Sequence, residues 1–128
     1  FITKITNYAK VCSVPNSMTV LNELIPIMID MSCKKITGSV NLTNPGLVSH
    51  NEILEMYKEI VDPDFTWNNF TIEEQNEILA SGRSNNFLET DKLSSMYPEV
   101  LNIKDSVRKI LLNMKENNIN NKYNEITR

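Results

Sequence analysis

Three short runs with strand character constrain this chain more than any other feature: Val11 to Val14, Ser39 to Thr43 and Phe65 to Trp67. Segments of helical period separate them, and isolated strands of this length cannot build an independent sheet. The expected fold class is α/β: a mostly helical lobe whose two or three short strands join the edge of a larger sheet. The chain begins at Phe1 rather than Met, and Ile2, Ile5 and Tyr8 suit the end of a helix begun earlier. A truncated front is therefore expected, with a partner domain beyond it.

The helical segments carry their own start and stop signals. From Ser17 or Thr19 a hydroxyl can cap a helix whose apolar stripe is Val20, Leu24, Ile27, Met28 and Met31, with Pro26 expected to kink it. Lys34 and Lys35 suit its basic end, and Asn44-Pro45-Gly46 reads as a turn. Ser49-His50-Asn51-Glu52 is a capping box opening a helix to about Val61, with Ile53, Leu54, Tyr57 and Ile60 or Val61 inward and Asp62-Pro63 as its stop. Thr71-Ile72-Glu73-Glu74 is a second box, for a helix to about Leu79. Ser81 to Asn86 is a polar loop, Thr90 can cap a short helix ending before Pro98, and Asp105 lies in the first turn of a last helix. Residues 1–116 thus read as one lobe, and 117–128, poor in apolar side chains, as a disordered tail.

Composition narrows the function classes. With 128 residues, a net charge of −3 and a pI near 5.2, the chain offers no basic surface to nucleic acid or to an anionic membrane. The longest apolar stretch, Leu24 to Met31, contains Pro26 and Asp30 and is too short to cross a bilayer. Cys12 and Cys33 are too few for a disulfide framework, and His50, the single histidine, has no metal-ligand partner at useful spacing.

Two stretches carry ligand-binding chemistry. Arg83, Ser84, Asn85 and Asn86 place a guanidinium, a hydroxyl and two amides in succession, groups suited to phosphate oxygens and to sugar or base edges. Asn16, Ser17, Met18 and Thr19 follow a strand-like run and precede a helix, where ligands commonly sit in α/β folds. Each stretch also has a plain structural reading, as a surface turn and as a helix cap. Two motifs are absent. No glycine-rich strand-to-helix turn is present, and Tyr8, Tyr57, Tyr97 and Tyr123 are not followed four residues later by lysine. The sequence thus has neither a glycine turn for a pyrophosphate nor a tyrosine whose pKa a lysine four residues on would lower.

Longer runs carry a resemblance. Val14 to Leu21, Thr43 to Tyr57, Asn69 to Gln75, and Arg83 to Asn86 with Lys92-Leu93 are similar to the carboxyl-terminal region of UDP-4-keto-6-deoxyglucose 3,5-epimerase/4-reductases, from Phe1 to about Met114. The stretch at Arg83 also resembles the Arg-Pro-x-Asn-Ser pattern of dTDP-4-dehydrorhamnose reductases, with Ser84 in place of proline. The resemblance implies an extended short-chain dehydrogenase/reductase with a Rossmann domain upstream, using NADPH (or NADH) to reduce C4 after proton exchange at C3 and C5. It gives this chain the lobe that closes over a UDP-sugar, with Arg83, Asn85, Asn86 and Asn16 to Thr19 as contacts and no catalytic residue. A cytoplasmic enzyme, homodimeric when complete, is the corresponding expectation. Two readings stay open beside it: another extended-family epimerase, dehydratase or reductase, and a noncatalytic interaction module.

Overall fold

The computed structural model describes residues 1–78 and 85–126. Among them stand six helices and no strand: α1 (Ile2–Ile5), α2 (Leu21–Cys33), α3 (His50–Ile60), α4 (Ile72–Ile78), α5 (Asp91–Met96) and α6 (Ile103–Ile126). None is long and apolar enough to cross a membrane. The packing divides into two units. One holds α1, α3, α4 and α6 from Val107 onward; the other holds α2, α5 and the loops from Val14 to Ser49 and from Asn85 to Ser106.

In the first unit α3 is a one-sided helix. Ile53, Leu54, Met56 and Ile60 are buried, together with Ile5, Val11, Val107 and Leu111. Met56 takes the inward place expected of Tyr57. The Tyr57 ring is instead half-buried and meets Phe65 edge-on at 5.1 Å, and Phe65 stacks on Trp67 at 6.0 Å. The Trp67 indole N–H donates to Asn51 Oδ1 at 2.9 Å. The strand expected at Phe65 to Trp67 is therefore a ring stack anchored to α3; its aromatic content serves side-chain packing rather than a ladder. The strand expected at Val11 to Val14 contracts to one parallel bridge, Val11 to Asn69. There the Val11 N–H donates to Asn68 O and the Phe70 N–H to Val11 O.

α4 opens as its sequence demands. The Glu74 N–H donates to Thr71 Oγ1 at 3.1 Å, and the Thr71 N–H returns to Glu74 Oε2 at 3.0 Å. Lys10 also pairs with Glu74, and its ammonium lies 5.8 Å from the centre of the Phe70 ring. The Lys10 ammonium first, then the Thr71 amide, hold the Glu74 carboxyl below its ordinary range.

The second unit has its core where α2 meets α5. Leu24, Ile27, Leu93 and Tyr97 are buried together, with Met31, Val40, Leu42, Met96 and Val100 packed against them. Met28, expected on this stripe, is 48% exposed, at the stripe's edge about 40° from Leu24 at 3.6 residues per turn. The alternation expected of Ser39 to Thr43 is present, since Val40 and Leu42 face the core, yet the segment has no ladder partner and is no strand. Side chains tie it down instead: Asn41 Nδ2 donates to Glu89 O at 2.9 Å, and Lys92 Nζ to Ser39 O at 2.8 Å.

Helix starts in this unit differ from the local caps expected. α2 begins after Val20, and no hydroxyl of Ser17 or Thr19 caps it. Thr90 likewise makes no side-chain cap for α5, where the Glu89 carboxylate accepts the Asp91 N–H. The Asn44-Pro45-Gly46 turn forms with Gly46 at φ +89°, and a Cβ on it would sit 2.6 Å from Asn102 Nδ2. Both the left-handed backbone and the missing side chain are required here.

Candidate functional site

The two ligand-binding stretches read from the sequence meet in the second unit. The Asn86 N–H donates to Asn16 Oδ1 at 2.8 Å, the Ser17 N–H donates to Asn86 O at 2.8 Å, and the Leu88 N–H donates to Ser17 Oγ at 2.9 Å. These bonds join Asn16 and Ser17 to Asn86 and Leu88 in a short polar seam. Asn16 also pairs with Val48 through both backbone groups, the second and last isolated bridge among the described residues. Its side-chain amide donates to Val14 O at 3.1 Å. Asn16 thus uses its side chain to fix the loop. Asn85 and Asn86 keep exposed side chains, Met18 is half-buried and Thr19 is exposed. Arg83 and Ser84 lie outside the described residues.

A buried polar hub holds the seam's other strand of chain. Asn44 is fully buried, and its Oδ1 accepts the Val20 N–H at 2.8 Å while Nδ2 donates to Glu23 Oε2 at 2.9 Å and to Leu101 O at 3.1 Å. Glu23 also accepts the Leu101 N–H at 2.7 Å and the Ser106 hydroxyl. The Thr43 hydroxyl donates to Met18 O at 2.9 Å, the Asn44 N–H donates to the same carbonyl at 3.2 Å, and the Thr19 hydroxyl donates to Thr43 Oγ1 at 3.1 Å. Every polar atom of the Asn44 side chain is therefore occupied, as burial requires. Sequence reasoning read Asn44 only as a turn residue and gave Thr43 and Glu23 no part. Nothing in local spacing links residues more than twenty positions apart.

A second constellation lines an open cavity of about 410 Å³, together with Pro26, Ile27, Met96 and Glu99. The Tyr97 hydroxyl donates to Asp30 Oδ2 at 2.6 Å, and Lys34 Nζ lies 2.6 Å from the same oxygen. Lys34 first, then Tyr97, hold the Asp30 carboxyl below its ordinary range, and the bond to Asp30 raises the Tyr97 phenol. The Tyr97 hydroxyl thus ties the end of α5 to α2. In the first unit, the His50 ring sits 5.6 Å from Phe1, at the start of α3.

No family model matches the chain. Curated proteins and solved structures do. A bifunctional dTDP-4-dehydrorhamnose 3,5-epimerase/dTDP-4-dehydrorhamnose reductase of Arabidopsis thaliana is 55% identical over 111 residues, 87% of this chain and 37% of that protein. The crystal structure of the L780 UDP-rhamnose synthase from Acanthamoeba polyphaga mimivirus matches with a TM-score of 0.83 at 54% identity, over 88% of this chain and 39% of that one. The chain is homologous to one region of the UDP-rhamnose synthases. The trifunctional UDP-glucose 4,6-dehydratase/UDP-4-keto-6-deoxy-D-glucose 3,5-epimerase/UDP-4-keto-L-rhamnose-reductase RHM3 of Arabidopsis thaliana is 56% identical over 109 residues, 85% of this chain and 16% of that protein. This UDP-rhamnose synthase homologue spans about two fifths, or less, of the length of the relatives it matches.

A phosphate cradle needs glycine backbone that a ligand can approach, and the space beside Gly46 is filled by Asn102.

Proposed function

We propose that this chain is the sugar-nucleotide-binding part of an NADPH-dependent 3,5-epimerase/4-reductase that converts UDP-4-keto-6-deoxyglucose to UDP-rhamnose. The observation that carries the reading is the match to the mimivirus UDP-rhamnose synthase, 54% identical over 88% of this chain. In this reading the complete protein is a cytoplasmic extended short-chain dehydrogenase/reductase, homodimeric, whose Rossmann part holds the nicotinamide outside this chain. The nicotinamide supplies the hydride for the C4 carbonyl. Residues 1–116 form the lobe, and α6 runs on past them to Ile126, in place of the disordered tail expected there.

The chemistry left to this chain is binding and orientation. Arg83 supplies a fixed positive fork for the diphosphate. Asn85 and Asn86 offer donors and acceptors to uracil or sugar hydroxyls, and Met18 and Thr19 line the cleft. Asn16 and Ser17, engaged by the segment that carries Asn86, hold the two stretches in register. Holding a reactant in one geometry is itself a large part of catalysis.

A second reading, a dTDP-linked substrate, has the name of the bifunctional Arabidopsis relative in its favour. Calorimetric titration of UDP and dTDP into the complete polypeptide separates the two: tighter UDP binding supports the first, tighter dTDP binding the second, and binding of neither overturns both.

A further inference from the structure

α2 carries a broad apolar arc, and only part of it is covered. Leu24 and Ile27 are buried in the core with α5, whereas Leu21, Ile25, Met28 and Ile29 are 61%, 42%, 48% and 55% exposed. At 3.6 residues per turn these four, with Ser32, fall in an arc of about 100° that contains no charged residue. Exposed apolar faces of this kind mark contact surfaces.

We propose that the outward face of α2, formed by Leu21, Ile25, Met28 and Ile29, is the surface on which the remainder of the reductase polypeptide docks. About three fifths of the length of the bifunctional Arabidopsis and mimivirus relatives lies outside the match, and on the reading of this chain as one part of such a protein that remainder is the occupant. The absence of charge in the arc suits an apolar protein face and gives nothing to an anionic lipid surface. The face also starts two residues after Thr19, so docking there fixes the Asn16 to Thr19 stretch relative to the cofactor-binding part. The inference rests on the reading of this chain as one part of a longer reductase.

The test is thiol modification of Ile29→Cys in the polypeptide that joins this chain to the rest of its reductase, with Cys12 and Cys33 replaced by serine. Lys109→Cys, at an exposed position of α6, sets the unprotected rate. The expected result is modification slowed by about tenfold or more relative to that control, independent of protein concentration, because labelling then waits on local opening. Met28→Cys repeats the measurement should Ile29→Cys not fold. Equal rates at the two positions overturn the inference. Protection that vanishes on dilution assigns the face to a second copy of the chain and also overturns it. UDP binding on the same preparation separates the failures: fast labelling of the Ile29→Cys variant with UDP binding retained removes the docking face alone, and loss of UDP binding in the unmodified polypeptide removes the functional reading as well.

Discussion

α4 follows Thr71 and α2 follows Val20, and the two close their first turns in different ways. α4 is closed by its own neighbours, Thr71 and Glu74 exchanging backbone amides across three residues. α2 is closed by Asn44, a buried side chain 24 residues away, which also reaches Glu23 and Leu101. A local cap stabilises one helix end. The remote cap joins a helix start, a turn and the approach to α6, so its loss spreads to everything that shares the hub.

The sharpest way to break this contrast is Asn44→Ala. It leaves the Val20 amide, the Leu101 carbonyl and the Glu23 carboxylate short of a buried partner, and a loss of about 3 kcal/mol or more is expected in urea unfolding. The same variant should speed hydrogen exchange at the Ser17 amide, because Asn44 supports the loop that pairs with Asn86. A loss below about 1 kcal/mol would show that the hub is not cooperative. Gly46→Ala comes next, at about 2 kcal/mol, since alanine must adopt a left-handed backbone and displace Asn102. Thr71→Ala should cost about 1 kcal/mol and leave exchange at Ser17 unchanged, as expected of a purely local cap.

The smallest effect is a pH dependence. The Glu74 carboxyl is held below its ordinary range by Lys10 and the Thr71 amide, so it contributes stability above the ordinary glutamate range. That contribution is lost as pH falls through the lowered folded-state value. Thermal midpoints of the parent and Glu74→Gln should therefore converge as the solution is acidified and differ slightly near neutrality. Parallel curves would remove Glu74 from the acid response.

The same contrast explains what could be read from sequence. The helices at His50, Ile72 and Ile103 follow from start signals, stops and apolar periodicity, all of which act within a few residues, and the one at Asp91 forms without the Thr90 cap expected of it. The alternation at Val40 and Leu42 was legible as a buried face, but whether such a run becomes a strand depends on a ladder partner. Here none is present among the described residues. The Phe65 to Trp67 run has strand-forming residues whose rings stack instead. At the candidate site, residue type singled out Asn16, Ser17 and Asn86. Their mutual bonds, and the hub of Asn44, Glu23 and Thr43 behind them, come from long-range closure that no spacing encodes. The role of Arg83 is read from its chemistry and its family resemblance, since the residue lies outside those described.

The central claim is that this chain holds the sugar nucleotide, and calorimetric titration of UDP, UDP-rhamnose and NADPH into the complete polypeptide, parent against Arg83→Ala, tests it most directly. The expected result is UDP-ligand binding weakened about tenfold or more by the substitution, the scale of one charge-assisted phosphate contact, with NADPH binding unchanged. Equal UDP affinity in the two proteins would contradict the claim and leave Arg83 a surface residue.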